Sequence, residues 1–434
     1  MRGGLSAGLL LLAATATAAD YGRAVFTNRR EPPSIAALDD ATRARFELGQ
    51  LVFNSQWVVA GTPRAERRDG LGPLFIGASC DGCHNNGARG QGLGNERLRR
   101  DDLLPNSFVM QLGGTHAQPY GDVLNTSAIA GFIREASLRV TYEDVTGRYP
   151  DGTPWTLRKP SYEVIAPGYR PLSAATILRP RVGPALYGVG LLESVPVDFV
   201  EQLRRSQPRA QRGELPWRRF AGEHALGRFG WQADAVSVQD QTERALAREM
   251  GLTSVGRTQD DCTPQQVACR TAERGGTPEV SPEFLEALLT FQRELAVPQG
   301  KPTAEQTSAG DGGAQLFARV GCAVCHRPEM AAATAAGTQT IRPYTDLLVH
   351  DMGDGLADRR VGGRGVPSRW RTAPLWGMAY ALDGRDAVLL HDGRARGLEE
   401  AVLWHGGQAA AAQRRFMALP AADRTRLLAW LASL

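Results

Sequence analysis

The stretch that decides the fold is GASCDGCHNNGARGQG, residues 77–92, which contains the run Cys80-Asp81-Gly82-Cys83-His84. Two cysteines three positions apart, with a histidine directly after them, are typical of a c-type haem attachment site. In such a site the thiols form thioethers to the haem, and the histidine fills one axial position of the iron. The run predicts a covalent haem. It leaves open whether a second ligand or space for chemistry lies on the other face of the iron.

A second run of the same kind stands far along the chain, in GCAVCHRPEM, residues 321–330, with Cys322, Cys325 and His326. A zinc site would need further cysteine or histidine ligands close by, usually as a second pair, and each run stands alone. Apolar segments that look helical, DGLGPLFIGASCDGCH and GGAQLFARVGCAVCH, lead into the two runs. We expect one covalently bound c-type haem at each run, with the histidine as iron ligand.

The first residues, MRGGLSAGLLLLAATATAAD, predict a signal peptide over residues 1–19, cleaved near Ala18. Their apolar run is shorter than the roughly 18 residues that a membrane span needs, so we expect an exported, periplasmic protein without stable membrane insertion. Export to an oxidising compartment favours a disulfide between the remaining cysteines, Cys262 and Cys269. The formal net charge of +4 on 434 residues gives no reason to expect a nucleic-acid partner.

The spacing of the two runs shapes the predicted domain organisation. His84 and His326 lie 242 positions apart, more than a small cytochrome domain requires. Strand-like patches, SLRVTYEDV and TPWTLRKPSYEVI, predict an insertion at about 105–225 that walls the first haem. Helical periodicity is seen at 40–60, at 236–250, in SPEFLEALLTFQRELAVP and at the C-terminus. The sequence predicts a mainly α fold with two cytochrome c-like haem domains, residues 20–300 with the loop- and strand-containing insertion and residues 301–434.

Long segments of the chain resemble the bacterial di-haem oxidoreductase family, whose members are often labelled peroxidases or thiol oxidoreductases. They include DGLGPLFIGASCDGCHNNGARG, RPRVGPALYGVGLLESVP, GRFGWQADAVSVQDQTERALAREMGLTS, YTDLLVHDMGDGLAD and WRTAPLWGMAYALDGRDAVLLHDGRARGLEEAVLWHGGQA. The family is similar to the di-haem cytochrome c peroxidases. The resemblance implies that a small redox protein, a cytochrome or cupredoxin, reduces the C-terminal haem. It also implies that the N-terminal haem reacts with peroxide or oxygen, and that a Ca²⁺ ion lies between the domains.

The resemblance points to a second ligand for the C-terminal haem. The peroxidases carry E-A-V-x-x-M near the C-terminus, and its methionine binds that iron. Here the run is EAVLWH, residues 400–405, so His405 stands at the methionine position. A haem held by His326 and His405 would be closed to substrate and lower in potential, because imidazole favours ferric iron relative to thioether. The alternative is that His405 is merely a histidine bonded at a helix end.

The resemblance also marks candidates above the N-terminal haem. The peroxidases carry a tryptophan between the haems, a glutamine ten residues on, and Glu-Met after ten more. Here Trp231, Gln241 and Glu249-Met250 follow in that order, with the last interval two residues shorter. This makes Glu249 the candidate acid/base, Gln241 its hydrogen-bonding companion and Trp231 an electron relay. Eight residues turn a helix about 80° away from a common face, so solvated helix residues and a core tryptophan remain the alternatives.

The predicted insertion supplies rivals for the same place. Glu135, Tyr120 and His116 are each candidates to wall the first haem. His116 as a second axial ligand would make the protein a pure electron carrier. Near the second haem, His350 and His391 are expected to bond a propionate or a backbone group.

Three functions follow from these observations, and one is favoured. The favoured one is an exported di-haem oxidoreductase of peroxidase type, which passes electrons from the bis-histidine haem to a reactive N-terminal haem. The second is a di-haem electron-transfer protein without substrate. The third is an oxidase of an organic or thiol substrate, although every cysteine already has an expected role.

Overall fold

The computed structural model describes residues 21–28, 30–63, 65, 68–91, 107–114, 119–301, 312–383 and 387–434. The predicted signal peptide and His116 lie outside the described residues. Within those ranges, no helix is long and apolar enough to cross a membrane.

The prediction of a mainly α fold is wrong, because the chain is 30% helical and 22% strand, with several small sheets. The helices are Asp40–Asn54, Val189–Glu193, Val197–Ser206, Val238–Glu249, Val267–Arg270, Pro282–Glu294, Gly312–Val320, Met378–Ala381, Leu398–Leu403, Ala410–Met417 and Ala421–Ala432. The strands are Arg23–Ala24, Leu74–Phe75, Phe108–Gly113, Ser127–Ala128, Ser137–Arg148, Pro154–Ile165, Ile177–Val182, Trp217–Phe220, Glu223–Leu226, Val297–Pro298, Met330–Thr334, Gly337–Ile341, Val349–Asp351, Asp358–Arg360, Gly365–Val366 and Arg369–Arg371. Most strands have six residues or fewer and pair with distant segments, so local periodicity does not reveal them.

The longer helices begin where the sequence places caps. Asp39 accepts the Thr42 N–H at 2.9 Å before Asp40–Asn54, and Ser237 accepts the Asp240 N–H at 3.0 Å before Val238–Glu249. A capping side chain satisfies one of the N–H groups that a helix leaves open at its start. The helices expected at 40–60 and 236–250 are confirmed, with shorter ends.

Only one of the two haem runs has the expected helical lead-in. Gly312–Val320 precedes the second run, as predicted. The first run follows the two-residue strand Leu74–Phe75 instead. Gly70, Gly72 and Pro73 explain the difference, because glycine and proline disfavour a helix interior.

Two apolar cores lie beside the two haem runs. In the first, Phe46 of one helix and Phe53 near its end both pack 5.2 Å from the ring of Phe291. In the second, Phe317, four residues before Gly321, lies 5.1 Å from the ring of Trp430 in the C-terminal helix. Each haem run therefore projects from its own packed core. The predicted division at residue 300 stays a prediction.

The long hairpin Ser137–Arg148 and Pro154–Ile165 confirms the two predicted strands but not their expected place. Tyr149 and Leu157 of the hairpin are buried in the second core. Arg158 Nε donates to the Arg394 carbonyl at 2.8 Å. The hairpin thus packs on the C-terminal part of the chain and does not wall the first haem run. Polar side chains of the hairpin bond to backbone groups there. The alternation of polar and apolar residues along a strand does not reveal such contacts.

An antiparallel sheet joins the two parts of the chain. Its strand order is Gly365–Val366, Asp358–Arg360, Ile177–Val182 and Phe108–Gly113. Its centre is fixed by the buried pair of Arg181 and Asp358, whose closest atoms lie 2.8 Å apart. This sheet holds the segment after Val182 beside the first haem run.

Candidate functional site

Two large cavities open beside the two haem runs. Cys80, Cys83 and His84 line the first cavity. Cys322, Cys325 and His326 line the second. They enclose about 2100 and about 1380 Å³ of empty space, counting their open mouths. Each haem run therefore has room beside it for a bulky group.

The histidines of the two runs are held in the tautomer that a metal requires. His84 Nδ1 donates to the Pro184 carbonyl at 2.8 Å, and His326 Nδ1 donates to the Tyr344 carbonyl at 3.0 Å. A carbonyl only accepts, so each Nδ1 carries the proton and Nε2 keeps its lone pair. A Cβ added at Gly183 would lie 2.9 Å from His84 Cε1, so glycine allows this close approach.

His405 faces His326 across the second cavity, which it also lines. Its Nδ1 donates to the Ala401 carbonyl at 2.6 Å, which leaves Nε2 free to bind. The two imidazole centroids are 6.5 Å apart. Two metal–nitrogen bonds of about 2.0–2.1 Å, plus about 1.1 Å from each nitrogen to its ring centroid, give about 6.3 Å. The spacing fits one iron between the two rings, so the ligand role of His405 stays the favoured prediction beside its bond at the helix end.

Burial keeps these imidazoles neutral. Burial, together with the neighbouring His405, lowers the pKa of His326 to about 4. Burial also lowers the pKa of His84 and of His405 below the usual histidine value. A neutral imidazole is the form that binds a metal.

The first cavity gathers the three residues that the sequence singled out for chemistry. Trp231, Gln241 and Glu249 all line it, together with the first haem run. The 80° turn between Gln241 and Glu249 therefore does not keep either from the cavity. Burial raises the pKa of Glu249 to about 7, although the nearby Arg248 lowers it. A carboxyl group with a pKa near neutrality can give or take a proton under ordinary conditions.

Trp231 forms part of the wall between the cavities, since it lines both. Its Nε1–H donates to the Val182 carbonyl at 2.8 Å, and its own carbonyl accepts the Arg371 N–H at 2.9 Å. The guanidinium carbon of Arg89 stands 5.0 Å from the ring centroid. Two of these contacts hold the indole, and the third holds the backbone of the same residue.

Arg89 and Arg371 also line both cavities, and sequence reasoning missed them. Arg89 Nε donates to the Val388 carbonyl at 2.6 Å, and Arg371 Nε donates to the Gly230 carbonyl at 3.1 Å. Burial lowers the pKa of each to about 10. Among the described residues neither forms an ion pair. Buried guanidinium groups without a carboxylate partner suit the propionates of a haem.

The rival candidates from the predicted insertion lie away from both cavities. Glu135 Oε2 accepts the Asn125 N–H at 2.6 Å, and burial raises its pKa to about 7. The Tyr120 hydroxyl donates to the Arg170 carbonyl at 2.8 Å. Neither residue lines either of these two cavities, and each links its segment to another part of the fold, Glu135 also through a hydrogen bond from Gln266.

His350 and His391 line the second cavity, but their partners differ from the expected ones. His350 Nε2 lies 3.0 Å from Asp346 Oδ2, a carboxylate rather than a backbone group. His391 stacks on Trp370 with centroids 3.8 Å apart, and burial lowers its pKa to about 3. Both rings help to shape the cavity wall.

The expected Ca²⁺ site finds no support in the described part of the chain. The close groups of possible ligands there are Asp260, Cys262 and Cys269, and Cys325, Asp346 and His350. Each includes cysteine sulfur, whereas calcium prefers oxygen ligands only. Cys262 and Cys269 are paired with each other in the structure, with Cα atoms 5.8 Å apart.

Comparison with known proteins gives one family. Residues 127–434 match the model of the family described as "Di-haem oxidoreductase, putative peroxidase". The match includes Trp231, Glu249, the second haem run and His405. No curated protein matches the chain. A solved structure of Kuenenia stuttgartiensis hydrazine synthase, pressurised with xenon, covers 99% of this chain and 100% of its own, at 15% identity and a TM-score of 0.36.

Proposed function

The chain belongs to the di-haem oxidoreductase family, and we propose that it is an exported peroxidase-type enzyme with two covalent c-type haems. In this proposal His326 and His405 would hold the haem at which electrons enter, and His84 would hold the haem at which peroxide is reduced. The observation that carries the proposal is the asymmetry of the two cavities. A second histidine faces His326 at ligand spacing, whereas a titratable glutamate lines the cavity of His84.

The haems would supply two one-electron centres, and the one held by His84 would supply the place where peroxide binds. The reduction of hydrogen peroxide to two waters takes two electrons and two protons. Glu249 is suited to take the proton from the near oxygen of peroxide and return it to the far oxygen, which then leaves as water. Gln241 lines the same cavity and offers an amide donor to hold the peroxide in place.

Trp231 is the proposed electron relay, because it borders both cavities. Arg89 and Arg371 are the proposed partners of haem propionates on either side of it.

Two other functions fit the contacts of these residues less well. A pure electron carrier does not need a proton-transfer group, so it does not account for the buried Glu249 in the first cavity. An oxidase of thiols that worked through a thiolate of its own would need a free cysteine. In this proposal the two haem runs and the Cys262–Cys269 pair use all six cysteines. Export is proposed from the N-terminal sequence pattern, and it accords with a disulfide at Cys262 and Cys269.

Steady-state turnover of hydrogen peroxide by the holoprotein, with a reduced small cytochrome as donor, tests the proposed function. We expect donor oxidation that depends on both peroxide and enzyme, with two donors oxidised for each peroxide. A holoprotein with both haems that does not oxidise the donor in the presence of peroxide, even after partial reduction, would rule out the peroxidase proposal.

Covalent attachment gives a separate prediction. The double variant C80S/C83S is expected to hold one covalent haem in place of two, because thioethers need both motif sulfurs. The pyridine haemochrome per protein should fall to about half, and haem stain on a denaturing gel should weaken but persist. C322S/C325S is the matched variant and should behave alike. An unchanged haem content in either variant would contradict covalent attachment at that run.

Replacing Trp231 with phenylalanine is expected to slow electron transfer between the haems. Phenylalanine keeps most of the packing but loses the Nε1–H bond to Val182 and is harder to oxidise. We expect a decrease of about tenfold, which corresponds to about 1.4 kcal/mol in the barrier. Stopped-flow mixing of half-reduced protein with peroxide measures this step. Trp376 lines the first cavity but not the second, so W376F is the control and should leave the rate within about twofold.

A further inference from the structure

One stretch of surface beside the second cavity is rich in arginine. Residues 201–219, called here the basic segment, carry Glu201, Glu214 and six arginines: Arg204, Arg205, Arg209, Arg212, Arg218 and Arg219. The excess of four positive charges equals the formal net charge of the whole chain, +4. An excess of this size over 19 residues makes the stretch locally basic.

The basic segment is attached directly to the second haem run. Gln207 Nε2 donates to the carbonyl of Val324, which lies between Cys322 and Cys325, at 3.0 Å. Gln211, four residues on, lines the second cavity itself. The segment is thus part of the cavity rim.

Two further contacts bring the backbone of the basic segment close to the second cavity. Gln408, three residues after His405, donates to the Arg212 carbonyl through Nε2 at 2.9 Å. A Cβ added at Gly213 would lie 2.7 Å from Cε1 of His350, which lines the cavity. Glycine lets the chain pass this close. A protein docked on the basic segment would therefore sit a short distance from the second haem.

The two acids of the basic segment are already paired. Glu201 Oε1 lies 2.9 Å from Arg205 Nε. Glu214 Oε1 lies 2.8 Å from the guanidinium of Arg369, which belongs to a neighbouring strand outside the segment. Arg369 therefore adds a positive charge that offsets Glu214, and the surface as a whole stays basic.

The remaining charge is presented to solvent. Arg209 and Arg219 are exposed, and neither forms an ion pair with any residue in the described ranges. The strand packed against the segment contributes one exposed acid, Asp351, whose Oδ1 accepts the Gly353 N–H at 2.8 Å. One acid does not cancel the field of the arginines. The surface therefore attracts a negatively charged partner.

Two aromatic side chains stand exposed at the end of the basic segment. Trp217 is 47% exposed and Phe220, next to the segment, is 41% exposed. They lie on the hairpin of Trp217–Phe220 and Glu223–Leu226. Tryptophan and arginine are enriched among the residues that dominate protein–protein binding. Exposed aromatic rings beside arginines are typical of a surface that contacts a protein.

We propose that the basic segment, with Trp217 and Phe220, is the docking surface for a small acidic redox protein that reduces the haem of His326. The proposal rests on the proposed function, in which electrons enter at that haem. Opposite charges bring such a partner to the cavity rim quickly, and the aromatic rings hold it briefly against the haem edge. A small, weak interface of this kind suits a donor that must leave after each electron.

Stopped-flow reduction of the oxidised holoprotein by a reduced acidic c-type cytochrome tests this surface. The variant R209E/R219E is expected to lower the bimolecular rate about tenfold at low ionic strength. At about 0.5 M salt the rate should approach that of the unmodified protein, because salt screens the interaction. W217S/F220S should lower the rate at both ionic strengths.

The matched control is R43E/R45E, which makes the same change in net charge at two exposed positions of the helix Asp40–Asn54, and neither position lines a cavity. Its rate should stay within about twofold of the unmodified protein. Equal slowing in R209E/R219E and the control would overturn the docking surface. So would faster reduction by a basic cytochrome than by the acidic one.

Two added measurements separate this proposal from others. Dithionite reduces the haems without docking, and the bis-histidine haem should be reduced first in every variant. If it is not, the proposed function fails, whatever the docking kinetics show. Vesicles of anionic lipid test the other macromolecule that could meet a basic surface. Sedimentation with vesicles that R209E/R219E abolishes, without any change in donor kinetics, would assign the surface to a membrane instead.

Discussion

Replacing His405 with alanine is expected to convert the second haem from low-spin to high-spin ferric iron. His405 and His326 face each other with centroids 6.5 Å apart, and both present a free Nε2 to the space between them. Loss of one imidazole leaves one axial ligand and an open position. The cavity that was closed to substrate then admits small ligands such as cyanide.

The variant His405→Met provides the matched comparison, because methionine is a ligand that fits the same helix end. It should restore a low-spin haem and raise its reduction potential, since thioether favours ferrous iron more than imidazole does. We expect a shift on the order of 0.1 V, within the roughly 0.8 V that axial ligands span. Visible spectroscopy and redox titration measure both effects. An unchanged low-spin haem in His405→Ala would show that another residue is the ligand.

Replacing Glu249 with glutamine is expected to lower peroxide turnover by about 10²–10⁴-fold. Glutamine keeps the shape of the side chain but cannot take up or release the peroxide proton. The effect should fall on peroxide reduction and not on reduction of the haems by the donor. Steady-state kcat/KM for peroxide and the single-turnover rate of haem reduction distinguish the two.

The chain offers a matched control in Glu135, which is also buried and also has a pKa raised to about 7. Because Glu135 lines neither cavity, E135Q should keep peroxide turnover within a few-fold of the unmodified protein. The variant should be less stable, because it weakens the hydrogen bonds of Glu135 with Asn125 and Gln266. Loss of turnover in E135Q with normal turnover in E249Q would reverse the assignment.

The raised pKa of Glu249 also predicts a pH dependence. Burial raises that pKa to about 7. The ionised carboxylate is the form that accepts the peroxide proton, so kcat/KM for peroxide should rise as pH increases through about 7 and then level. E249Q should lack this inflection. A pH profile that is the same in both proteins would remove Glu249 from the proton path.

Much of the site could be predicted because its chemistry is encoded in short local patterns. The two CXXCH runs each line one of the two cavities, as their patterns predict for haem attachment sites, and EAVLWH places His405 one helical turn from Ala401, its backbone partner. The eight-residue interval from Gln241 to Glu249 predicts that the two side chains point away from a common helix face, yet both line the same cavity. A cavity large enough for a haem collects residues from more than one face of a helix.

The rest depends on contacts between distant segments. The short strands Asp358–Arg360 and Ile177–Val182 pair across about 180 residues, so a reading of local periodicity overestimates the helical character. Arg89 and Arg371 are indistinguishable from the many other arginines until the fold buries them between the cavities. The long hairpin was correctly predicted as strands, but its place on the second core depends on bonds such as Arg158 to the Arg394 carbonyl.

Electron paramagnetic resonance of the holoprotein, first oxidised and then with one electron per molecule, tests the central claim most directly. The claim is that the haem of His326 and His405 is closed and the haem of His84 can open. We predict a low-spin bis-histidine signal in the oxidised protein that disappears with the first electron, and a high-spin signal from the remaining ferric haem. A low-spin signal from the His84 haem in both states would contradict the claim, because it would mean that both irons are closed.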